Sequence, residues 1–277
     1  MPQEFQGGLR EDLGRDPWGM GQDASTAQSD LFQELSGSKY DLARAKSYLA
    51  LDVSTWEAAE RYVTLFDNVV DGYKVGLQLF DADGFRVLEE LNRRNKRVFL
   101  DVKLHDIPNT VAGALRSLSQ FDLEMVNVHA MGGRKMLEQA RQAVGQGSKS
   151  KRPLLIAVTI LTSLGDADLE EMGFSMAAEP LVLKLATLAA QCDLDGVVAS
   201  AAELRAIRQQ LAEPFEVVVP GTRLPGSNLH DQVRTLSPGE ALKLGASRIV
   251  IGRSVTSAEN PLQALKRVWD NMNALGE

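Results

Sequence analysis

The chain has 277 residues, 44% of them hydrophobic and 24% charged, with a formal net charge of −7; this is an ordinary globular composition, and the length suits one large domain or two small ones. The acidic balance speaks against a nucleic-acid backbone as the main partner, which needs a basic surface, and no apolar run approaches the ~20 residues of a membrane span. A single cysteine, Cys192, excludes an internal disulfide and a cysteine-rich zinc site, and three scattered histidines, His105, His129 and His230, do not suggest a multi-histidine metal centre.

Residues 1–44 mix Gly, Gln, Asp and Arg with no sustained period and read as a polar tail, disordered or loosely docked, in which Leu31, Phe32 and Leu35 of "SDLFQELSGS" form one amphipathic turn able to dock. The polar, acidic start has no basic stretch leading into an apolar core, so it does not fit a secretory signal, and a cytoplasmic location is expected. Residues 45–277 read as one domain. Short β-rich runs alternate there with helical ones: "SYLALDV", "GYKVGLQLF", "RVFLDVKL", "EMVNVHA", "LLIAVTIL", "GVVAS", "FEVVVPG" and "RIVIGRS" predict eight strands. Between them, "STWEAAERYVTLF", "DGFRVLEELNRR", "GGRKMLEQARQAV", "EPLVLKLATLAAQ" and "SAAELRAIRQQLA" predict helices. Strand–helix alternation implies right-handed crossovers and a parallel sheet. Eight such units over this length predict an α/β fold, a closed (β/α)8 TIM barrel. An open doubly wound sheet is the structural alternative, but "LDVST", after the first strand, lacks the glycine fingerprint of a dinucleotide site.

In such a barrel the active site lies at the C-terminal ends of the strands. Asp52 stands there on the first strand, Lys74 on the second, Asp101 and Lys103 on the third with Asp106 just beyond, and Thr162 and Ser163 on the fifth. Within "RVFLDVKL", Val98, Leu100, Val102 and Leu104 alternate as a helix-facing set, while Phe99, Asp101 and Lys103 share the inward face. A lone charge at a strand end is usually a solvated rim residue. Here four strands contribute charged residues at the same end, and the cluster Lys74, Asp101, Lys103 and Asp106 alternates in sign, so it can offset its own burial; opposite charges ~4 Å apart attract by ~1–4 kcal/mol across effective dielectrics of 80 to 20. The seventh strand runs into "PGTRLPGSNLHDQ" with Arg223, and the eighth into Gly252 and Arg253, where barrels often bind phosphate.

"DVKLHDIPNT" resembles the D-x-K-x-x-D-I-P-N-T signature of the orotidine 5′-phosphate decarboxylase family, and "ALDV", "YKVGLQLF", "VNVHAMGG", "AVTILTS", "PGTRLPGSNLHDQVR" and "IVIGRSVTSAENP" follow in that family's order from Tyr48 to the C-terminus. Thr222 and Met131 depart from the pattern, away from any charged position. The resemblance implies cofactor-free loss of CO2 from orotidine 5′-monophosphate to give UMP, the last step of pyrimidine nucleotide synthesis. By it, Lys103 protonates the ring carbon that loses the carboxylate, Asp101 sits beside that carboxylate, and Lys74 and Asp52 hold the ribose. Thr162 and Ser163 contact the pyrimidine region, Gln232 spans base and phosphate, and Arg223, Gly252 and Arg253 bind the phosphate. Asp106, with Ile107 and Thr110, reaches into the site of a second subunit, so a homodimer with shared sites is expected, with no metal. Two other readings are a Mg2+-dependent sugar-phosphate enzyme of the same superfamily, which Lys74 in place of an acid opposes, and a catalytically dead nucleotide-binding barrel, which intact Asp101, Lys103 and Asp106 oppose.

Overall fold

The eight β-rich runs form eight parallel strands: β1 (Ser47–Leu51), β2 (Gly72–Gly76), β3 (Arg97–Leu104), β4 (Met125–His129), β5 (Leu154–Val158), β6 (Gly196–Val198), β7 (Glu216–Val219) and β8 (Arg248–Ile251). Each pairs with the next in chain order, and β1 pairs with β8, which closes the barrel. The computed structural model describes residues 25–146, 151–224 and 236–275. Helices α1 (Ser25–Ser36) and α2 (Asp41–Lys46) precede β1; α3 (Trp56–Leu65), α4 (Leu77–Arg93), α5 (Pro108–Leu118) and α6 (Gly133–Ala143) follow β1 to β4 in turn. After β5 come α7 (Asp166–Glu171) and α8 (Ala178–Gln191), then α9 (Leu204–Gln210) after β6, α10 (Pro238–Lys243) after β7, and α11 (Arg253–Thr256) and α12 (Pro261–Leu275) after β8.

Strand parity separates two apolar cores. Val98, Leu100 and Val102 of β3, with Val126 and Val128 of β4, belong to the large core between sheet and helices. Tyr48, Ala50, Phe99, Met125, Ile156, Val158, Val198, Val218 and Val250 fill the barrel interior. That interior plug is the floor on which any site at the strand ends must stand. At the opposite end the interior is closed by polar pairing: Tyr48 donates its hydroxyl to Glu124 at 2.6 Å, and Arg97 reaches the same carboxylate oxygen at 2.9 Å.

The strand runs predicted from sequence extend beyond the paired residues at their C-terminal ends. In "GYKVGLQLF" the strand stops at Gly76, and Leu77 opens α4 instead. Asp52 likewise stands one residue past β1, and Pro220 and Gly252 directly follow β7 and β8. The ladder ends where the barrel opens to solvent, so the residues just beyond it point into the mouth.

Residues 28–44 pack more closely than a loose tail. Leu35, Tyr40 and Ala43 are fully buried. Tyr40 donates its hydroxyl to Asp270 of α12 at 2.7 Å and lies with its ring 5.6 Å from that of Trp269. Arg44 donates to the Leu35 carbonyl at 2.8 Å, and Lys266 bridges Glu34 and Asp270. The two acids beside Lys266 push its pKa above the ordinary lysine value. The expected domain boundary at residue 44 therefore falls inside a packed segment.

Candidate active site

At the C-terminal mouth lies a cavity of about 360 Å3. Its floor is apolar, made by Ala50, Phe99, Val158, Val198 and Val250 of the interior plug. The side formed by β1 to β3 is charged. Lys74 Nζ donates to Asp52 Oδ1 at 2.9 Å and stands 3.6 Å from Asp101 Oδ2. Lys103 Nζ donates to Asp101 Oδ1 at 2.8 Å. The four side chains thus form a continuous chain of alternating sign, in the order Asp52, Lys74, Asp101, Lys103. Lys74 is the most deeply set, at 8% exposure. It fits because residue 76 is glycine: a Cβ there would stand 2.8 Å from the Lys74 ammonium.

The β7 and β8 side is cationic. Arg223 is 9% exposed and donates to the Thr222 carbonyl, while its own N–H is bonded to the Leu236 carbonyl at 3.0 Å. Arg253 is exposed at the rim beside Gly252. Gly221, also on the cavity wall, has φ +74°, in the left-handed region that favours glycine. Thr162 and Ser163 line the wall between the two charged sides. An apolar floor with opposed charged and cationic walls suits a flat ring carrying an anionic group at some distance from its reacting atom.

Nine of the residues singled out in the sequence meet in this one cavity: Asp52, Lys74, Asp101, Lys103, Thr162, Ser163, Arg223, Gly252 and Arg253. Asp106, Ile107 and Thr110 do not line it. All three are exposed, and Asp106 Oδ1 accepts its own neighbour's N–H, from Ile107, at 2.6 Å. Gln232 lies outside the described residues.

Two neighbours escaped the sequence reading. Asn127, fully buried, contacts both Asp101 and the Lys103 backbone. Its signal was parity: in "EMVNVHA" it shares the inward face with Met125 and His129, an amide in an apolar run. His129 stacks on His105 with ring centroids 5.2 Å apart and accepts the Met131 N–H on Nδ1 at 3.3 Å. Its pKa is pushed down to about 4, first by burial and then by the nearby charges of His105 and Lys103, so the ring is neutral.

The profile of the orotidine 5′-phosphate decarboxylase / HUMPS family matches residues 47–268, from the start of β1 into α12. The chain belongs to this family. It is 42% identical over 231 residues to the orotidine 5′-phosphate decarboxylase of Listeria monocytogenes, a match covering 83% of this chain and 99% of that one. It is 43% identical over 224 residues to the enzyme of the same name from Saccharophagus degradans, covering 81% and 93%. The crystal structure of orotidine 5′-phosphate decarboxylase from Lactobacillus acidophilus superposes with a TM-score of 0.73 at 31% identity, covering 83% of this chain and 99% of that one. Within the orotidine 5′-phosphate decarboxylase family pattern, the two departures lie outside the cavity wall. Thr222 is buried and lends its carbonyl to Arg223, and Met131 is on the surface beside His129.

Proposed function

We propose that this chain decarboxylates orotidine 5′-monophosphate to UMP and CO2, the last step of pyrimidine nucleotide synthesis, without metal or organic cofactor. The observation that carries the reading is the Asp52–Lys74–Asp101–Lys103 chain on one wall of the cavity, in a member of this family. Breaking the bond between the ring carbon and the carboxylate leaves its electron pair on that carbon. A fixed ammonium beside it stabilises the developing negative charge and donates the proton that completes UMP. Lys103 is that ammonium, and it regains a proton from solvent after each turnover. Asp101, held against Lys103, places a negative charge near the departing carboxylate and opposes the ground state more than the neutral CO2 that leaves. Lys74 and Asp52 hold the ribose hydroxyls. Arg223, Gly252 and Arg253, with Gln232, take the phosphate, whose binding energy orients the base over the charge chain.

We also propose a homodimer with shared sites, in which Asp106, Ile107 and Thr110 serve the neighbouring subunit. Their exposure and their absence from the lining of their own chain's cavity support it. So does Ile107, at 67% the most exposed large hydrophobic among the described residues.

The purified protein, treated with EDTA, should cause the orotidylate absorbance to fall with stoichiometric release of CO2. No fall, with UMP still bound, would leave a binding barrel and refute the decarboxylase reading. Activity that needs added Mg2+ would point instead to a metal-dependent sugar-phosphate chemistry.

A further inference from the structure

We infer that Asn127 is a positioning residue for the decarboxylation: it fixes the backbone of Lys103 and the carboxylate of Asp101 in one geometry. The inference rests on the assignment of Lys103 as proton donor above. It starts from an irregularity in the sheet. Across the β3–β4 pair, Leu100 stands opposite Val126 and Leu104 opposite Val128, so Asp101, Val102 and Lys103 together face Asn127 alone. Such a bulge removes backbone groups from the ladder and re-aims the side chains it carries. Lys103 takes φ +48° there, a left-handed conformation that a residue with a Cβ holds only where its surroundings impose it.

Asn127 is what imposes it. Its Oδ1 accepts the Lys103 N–H at 2.8 Å, standing in for the carbonyl that the ladder no longer offers. Its Nδ2 donates to Asp101 Oδ1 at 2.7 Å, the same oxygen that takes the Lys103 ammonium at 2.8 Å. One partner is a donor and the other a carboxylate, so the amide has a single satisfying orientation. With 0% exposure, no water can replace either bond readily. The triangle of Asn127, Asp101 and Lys103 therefore couples the backbone of the proton donor to the acid that orients its side chain. An amide does this where neither a carboxylate nor an alkyl group of similar size can. A carboxylate keeps the acceptor but sets a like charge against Asp101, and an alkyl group leaves a buried N–H unpaired.

The test compares Asn127→Ala, Asn127→Asp and Lys103→Ala in the full-length protein, each checked for folding by thermal melting and for UMP affinity by calorimetry. Asn127→Ala should lower kcat by about 10²-fold, the scale of a misplaced reacting group, while UMP affinity stays within about threefold, because the phosphate side is untouched. Asn127→Asp should show a similar deficit that narrows as pH falls, since the protonated carboxyl again donates to Asp101. The charged groups facing that position are Asp101 and Lys103 on β3; its own strand adds the titratable but neutral His129, and β5 presents Ile156. If Lys103→Ala is inactive and both Asn127 variants turn over at the wild-type rate, the positioning role is refuted and the Lys103 assignment stands. If kcat and UMP affinity fall together, Asn127 is a general structural residue and the inference is again overturned. Should Asn127→Ala not fold, Asn127→Asp and its pH profile decide. Activity in Lys103→Ala would overturn the functional reading itself.

Discussion

Lys103 carries two constraints at once, an ammonium 2.8 Å from Asp101 and a backbone held at φ +48°. Lys103→Ala removes the ammonium, and its kcat should drop below detection while the melting temperature changes little, since the side chain lines a cavity and not the packed core. A variant that keeps more than a small fraction of the wild-type rate would place the proton donor elsewhere. Arg253→Ala should act only through the phosphate. Losing a charge-assisted contact costs about 1.5–3 kcal/mol, so kcat/KM for orotidylate should fall about ten- to a hundredfold. The phosphate-free nucleoside should be nearly indifferent, and an equal loss for both substrates would contradict the assignment. His129 makes a prediction about pH. Its folded-state pKa lies at about 4, below the ordinary histidine value of 6.5, so between those values the unfolded chain binds a proton that the folded chain does not. Its contribution to stability is complete above about pH 6.5 and is lost as pH falls toward about 4. Melting temperatures taken across that window should decline more steeply for the wild type than for His129→Asn, and parallel slopes would show that His129 is not responsible. At this scale the charged residues were legible because period two and strand ends assign them a face. The same parity gave Asn127 its face but not its role, because the bulge that supplies its partners has no local sequence signature.

At the scale of elements, the strands were readable from β-branched runs, and all eight stand at the expected places. Their C-terminal ends were overread by a few residues, since hydrophobicity continues past the last ladder bond into the residues that shape the mouth. At the N-terminus, Leu31, Phe32 and Leu35, the residues expected to dock, pack on the core. The composition of residues 1–44 averages a polar segment with one that packs, and the apolar residues of α1 and α2 are too few to set a period. Tertiary contact supplies what periodicity lacks: Tyr40 packs at a tilt against Trp269 of α12 and is hydrogen-bonded to Asp270. Tyr40→Ala should therefore destabilise the fold by about 3–5 kcal/mol, the usual cost of truncating a buried aromatic. Because α2 enters the barrel at the strand end opposite the cavity, the folded fraction should retain its kcat. Chemical denaturation alongside initial rates checks both halves. A stability unchanged within about 0.5 kcal/mol would mean that the segment does not dock in solution.

At the scale of the whole molecule, the proposed shared site turns on where Asp106 can and cannot reach. Three residues beyond Lys103, it has the wrong parity for the inward face, its carboxylate is turned onto the Ile107 N–H, and Pro108 at once starts α5 away from the mouth. A charge on the rim beside an exposed isoleucine suits an interface better than its own site. In an isologous dimer each residue of the patch meets its equivalent region on the partner, so each cavity would take Lys103 from one chain and Asp106 from the other. Subunit mixing tests this directly. Lys103→Ala and Asp106→Ala proteins, each inactive alone, are combined under conditions where exchange is verified by mass. In a mixed dimer, one site then carries both lesions and the other carries neither. Random exchange makes about half the dimers mixed, and half of their sites intact, so about a quarter of wild-type activity should return. If exchange is complete and no activity returns, Asp106 serves its own chain and each barrel works alone.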